Sequence, residues 1–68
     1  MFFAFDVLTD GVLRSFLLKA LDEEDAYRRI REKFGSNAVL GSICPLSEED
    51  VQPFLELSGL EVGAFVEL

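Results

Sequence analysis

Residues 2–21 read FFAFDVLTDGVLRSFLLKAL. Two apolar runs, Phe2 to Leu8 and Val12 to Leu21, flank Thr9-Asp10-Gly11, and the first is dense in Phe and other residues that suit a pleated, half-buried surface. Gly11 tolerates the left-handed backbone of a tight hairpin, so the two runs are expected to pair antiparallel. Two registers fit. A three-residue loop with a bulge at Gly11 sets Asp6 across from Arg14, whereas a two-residue Asp10-Gly11 turn sets Asp6 across from Ser15 and Phe5 across from Phe16.

In either register both faces of the hairpin carry large apolar groups. Phe3, Phe5 and Val7 lie on one face of the first strand, with Phe2, Ala4 and Leu8 on the other; in the second, Leu13, Leu17 and Leu21 oppose Val12, Phe16 and Leu18. An antiparallel hairpin with one solvated face alternates more cleanly. The second face therefore calls for a cover, either the chain's own helices or another molecule.

Working outward, Asp22 caps a helix whose first turn holds Glu23, Glu24 and Asp25, with Arg28, Arg29, Arg31 and Lys33 further along, the order that the helix dipole favours. Ala26, Ile30 and Phe34, with Tyr27, form its apolar stripe, Glu24–Arg28 and Asp25–Arg29 are four-apart pairs, and Gly35 is its stop. Ala38 to Cys44 reads as a third strand closed by Pro45, running in the direction of strand two, beside it or one place removed. Ser47 and Asp50 approximate a capping box for a second helix, with Leu46 and Val51 as a hydrophobic staple; Pro53 kinks or restarts it, and it ends near Ser58-Gly59. Glu61 to Leu68 alternates as a fourth strand. The expectation is a single small α+β domain over residues 1–68, in the order ββαβαβ, with two helices packed on a mixed sheet.

Composition narrows the function. The chain has 68 residues, seven Phe, one Cys and no His. An intramolecular disulfide is excluded, a cysteine zinc site lacks ligands, and the usual nucleophile–base pairs are missing. Cys44, with no His to activate it, reads as a buried small apolar residue. The glycines are scattered and form no phosphate-cradling loop. No catalytic residue, metal site or cofactor is expected, so the chain is read as a binding protein and not an enzyme. Neither a secretory signal nor an apolar run near about 18 residues is present, which gives a cytoplasmic default without membrane contact.

The charge map points to partners. Every Lys and Arg lies within residues 1–33, while Glu48, Glu49, Asp50, Glu56, Glu61 and Glu67 follow Phe34 with no basic residue among them; the net charge is −7. The arginine-rich helix face completes a dipole, and the overall charge opposes direct nucleic-acid binding. These six carboxylates, with Phe54 and Phe65 close by, and Phe2 as a further apolar candidate, are the candidate protein-binding residues, steering and anchoring a basic or nucleic-acid-binding protein partner or, through Phe2 and Phe65, a homodimer. Phe65 stands on the acidic side of its strand, which also marks it as an anchor. The expected function is that of a small acidic interaction module, a regulator or inhibitor acting by binding. In size and acidity, though not through any motif, the chain resembles phage-encoded inhibitors of host defence such as anti-CRISPR proteins. That resemblance implies an alternative, carboxylates placed where a nucleic acid's phosphates would lie.

Overall fold

A computed structural model describes residues 1–51 and 59–68 of the chain. Strands β1 (Phe2–Thr9) and β2 (Val12–Lys19) pair antiparallel with Phe5 opposite Phe16 and Asp6 opposite Ser15, the register of the two-residue turn. Asp10 (φ 51°) and Gly11 (φ 79°) both take the left-handed conformation, whose twist matches that of the flanking strands. Beyond the strand ends, Ala20 N–H donates to the Met1 carbonyl (2.8 Å) and the Met1 ammonium donates to the Ala20 carbonyl (2.9 Å).

Helix α1 (Glu23–Phe34) starts at Asp22, whose carboxylate accepts from Asp25 N–H at 2.7 Å, and stops at Gly35, whose N–H donates to the Arg31 carbonyl. Its stripe covers most of one sheet face, hereafter the inner face. Phe3, Phe5, Val7, Phe16, Leu18 and Ala20 form a core with Ala26 and Ile30 of the helix, and the half-buried Phe34 and Phe65 pack against it. Each of the larger buried side chains contributes about 1.5–3 kcal/mol by leaving water.

Strand β3 (Val39–Leu46) joins the free side of β1, β4 (Phe65–Glu67) joins the free side of β2, and the order is β3-β1-β2-β4. Two expectations need correction here. The sheet is antiparallel throughout, not mixed. The crossover from β2 through α1 does return in the direction of β2, but it passes beyond β1, so β1 separates the two like-directed strands and every neighbour runs opposite. Nor, among the described residues, do two helices pack on the sheet: only α1 is long, and α2 spans Glu48–Val51. The capping box forms as expected, Ser47 N–H and Oγ donating to Asp50 Oδ2 at 3.1 and 2.9 Å, and Val51 is buried beside Leu46, but the Pro53 kink and the helix end at Ser58 lie outside the described residues.

Pro45 falls inside β3 instead of closing it, because β3 is an edge strand with one unpaired side. Cys44 is exposed, not buried, for the same reason: it lies on an edge strand, across from Ala4 on the face that α1 leaves open. One further glycine is obligatory. Gly63 has φ 98°, its N–H donates to the Lys19 carbonyl at 2.7 Å, and a Cβ there would come within 2.5 Å of Arg29 Nη1.

Candidate functional site

The face opposite α1, the outer face, divides into three bands running across the strands. At the end nearest α2, Leu17 and Val51 are buried together, with Phe2, Leu46, Leu60 and Val66 packed around them. In the middle lies a polar belt: Asp6 accepts from Ser15 Oγ at 2.6 Å and from Ser42 Oγ at 3.2 Å. At the hairpin end the cover stops.

There Val39 stands opposite Leu8, and Leu8 opposite Leu13, so three aliphatic side chains line up across β3, β1 and β2. Leu68 lies on the same face but opposite Ser15, level with the polar belt and diagonal to Leu13, its N–H donating to the Ser15 carbonyl. The four are 60%, 40%, 65% and 64% exposed, in the order Val39, Leu8, Leu13, Leu68. Single exposed aliphatics are ordinary on a protein surface, but three in register with a fourth on the diagonal form a patch of the kind that marks interaction sites. Asp6, in the neighbouring belt, is the nearest charge along β1 and is already bonded to two hydroxyls.

The carboxylates expected to form the binding flank are distributed differently. Glu49 and Glu61 are exposed. Asp50 is exposed, but its carboxylate serves the α2 cap. Glu67 is held by Arg14 through two bonds of 2.9 and 2.7 Å, which lower its pKa below the ordinary carboxylate value and raise that of Arg14. Glu48 begins α2, and Glu56 lies outside the described residues. Arg14 thus crosses the sequence boundary at Phe34 and balances one member of the acidic half.

The aromatics behave similarly. Phe65 packs edge-on against Phe5 and Phe34, with ring centroids 6.0 Å apart in both pairs and Lys33 Nζ 5.0 Å from its own centroid. Core packing therefore accounts for its position on the side of Glu67. Phe2 is half-buried against the Leu17 cluster with Lys19 Nζ 5.6 Å from its ring, and Phe54 lies outside the described residues. Leu8 and Leu13 had been visible as part of a two-faced hairpin, whereas Val39 and Leu68 carried no signal, because only the registers of β3 and β4 bring Val39 alongside Leu8 and Leu68 to the diagonal of Leu13.

Among the described residues no cluster of His, Cys, Asp and Glu is arranged to hold a metal ion, and no helix is long and apolar enough to cross a membrane. No family model, no curated protein and no solved structure matches this chain.

Proposed function

We propose that this chain is a small protein-interaction module, a regulator or inhibitor that acts by seating the hairpin end of its outer face on an apolar surface of a partner protein. The observation that carries the reading is the row Val39, Leu8 and Leu13, in register across three strands and open to solvent, with the exposed Leu68 on the diagonal. Burying it contributes hydrophobic affinity that salt does not screen, while Glu49 and Glu61 supply long-range steering. Charge mimicry of a nucleic acid has less to draw on, since Glu67 and Asp50 are committed to internal partners.

A photo-reactive residue placed at Leu13 in the full chain, and in a second variant at Glu61, tests this in lysate of the source cells. Position 13 is expected to give a discrete protein adduct that persists as salt is raised and disappears when Leu8 is also changed to Ser. Adducts only from position 61, lost at moderate salt, would sink the apolar reading and restore the acidic one.

A further inference from the structure

The inner face is not completely sealed. Ala26 and Ile30 pack over β1 and β2, and toward β3 a cleft of about 520 Å³ opens beside the second half of α1. Its apolar lining includes Val7, Ile30, Phe34 and Leu40, and Tyr27, Arg28 and Arg31 also line it. The volume lies within the range of about 300–1,000 Å³ typical of small-molecule sites, and the lining is mostly apolar with a few polar groups.

The arginines differ in their commitments. Arg28 bonds to Asp25 and to Glu32, Arg29 to Asp25, and Arg14 to Glu67. Lys19 donates to the Leu60 carbonyl at 2.7 Å, and Lys33 lies over the Phe34 and Phe65 rings. Arg31 alone among the cations has no such partner among the described residues, and it stands at the cleft. Its guanidinium keeps a planar fork of donors free, a geometry that matches a carboxylate bidentately.

We infer that this cleft binds a small apolar carboxylate, its hydrocarbon body against Phe34, Ile30 and Leu40 and its carboxylate on Arg31. The surroundings penalise each negative charge beyond the one that Arg31 can pair. A chain of net charge −7 repels polyanions, and the cleft lies toward the C-terminal, negative end of the α1 dipole. The guanidinium must therefore supply the attraction, and a phosphate or dicarboxylate is disfavoured. This site is separate from the outer-face row and does not depend on it.

The test is a titration of the isotope-labelled full chain, followed by amide and methyl shifts, with octanoate, octan-1-ol and acetate. Octanoate is expected to saturate shifts at Phe34, Ala38 and Leu40, with octan-1-ol and acetate each about tenfold weaker or more, since one lacks the charge and the other the body. R31Q, at an exposed position without bonds to the described residues, should bring octanoate down to the level of octan-1-ol, whereas K33Q should not. The inference is overturned by equal binding of octanoate and octan-1-ol, by undiminished binding to R31Q, by shifts gathered instead at Leu8, Leu13 and Val39, or by no saturable shift with octanoate. Of these, only shifts at the row bear on the interaction surface, and they would favour it.

Discussion

Asp25 is a carboxylate with less than a tenth of its surface exposed, in the first turn of α1, and every bond around it favours the charged form. Leu21 N–H donates to it at 3.0 Å and Arg29 Nε at 2.8 Å, and Arg28 adds a third donor. The Leu21 bond and then the Arg29 bond lower its pKa from 3.8 to about 2, with burial opposing and Arg28 assisting. Arg28 turns to Asp25 and Glu32 instead of the expected Glu24, because Asp25 holds a fixed, partly desolvated carboxylate beside it. The folded state binds the proton less readily than the unfolded chain, so the contribution of Asp25 is fully present above pH 3.8 and is lost as pH falls through about 2. Thermal unfolding followed from pH 5 to pH 2 should therefore show a decline that is shallower in D25N, which starts from a lower midpoint at pH 5. Parallel curves for the two proteins would mean that Asp25 titrates alike in both states.

Among the elements, the hairpin turn makes the sharpest demand on sequence. Gly11 has open space around the position of a Cβ, so any cost of a side chain there comes from the backbone alone. G11V should destabilise by about 1–2 kcal/mol, the penalty of a left-handed β-branched residue, while D10N should be near neutral, Asn being at home in such turns. Urea midpoints measure both; an unchanged midpoint in G11V would show that the turn rearranges freely. The same comparison explains what could be read in advance. Asp22, Gly35, Ser47 and Asp50 act through bonds to backbone three or four residues away, so α1 and the α2 cap were legible from local chemistry. β3 and β4 choose their neighbours through non-local pairing, which a periodic pattern does not encode. Ala38 to Cys44 has equally apolar character beside β1 or β2, and only the crossover past β1 places Val39 next to Leu8. The antiparallel sheet, the exposure of Cys44 and the place of Val39 in the aliphatic row all follow from that one choice.

For the whole molecule, the difficulty is one of cover. A four-stranded sheet has two faces, and the described residues include one long helix. α1 closes the inner face apart from the cleft; Val51 and Leu60 close the Leu17 end of the outer face; at the hairpin end Leu8, Leu13 and Val39 remain open. If those aliphatics are kept for binding and not for folding, stability and binding must separate between positions that look alike in sequence. Leu17 and Leu13 sit four residues apart on the same face of β2, yet one is 3% exposed and the other 65%. L17A should cost about 2–5 kcal/mol through lost burial and the cavity left behind, whereas L13A should stay within about 0.5 kcal/mol of the parent in urea unfolding. The double variant L8T/L13T should likewise fold with an unchanged unfolding cooperativity, and lose the cross-link from position 13's neighbour Val39 when that site carries the photo-reactive group. A cost for L13A comparable to that for L17A would assign the row to the core. Loss of binding without loss of stability is the result that belongs to a surface built to be covered by another molecule.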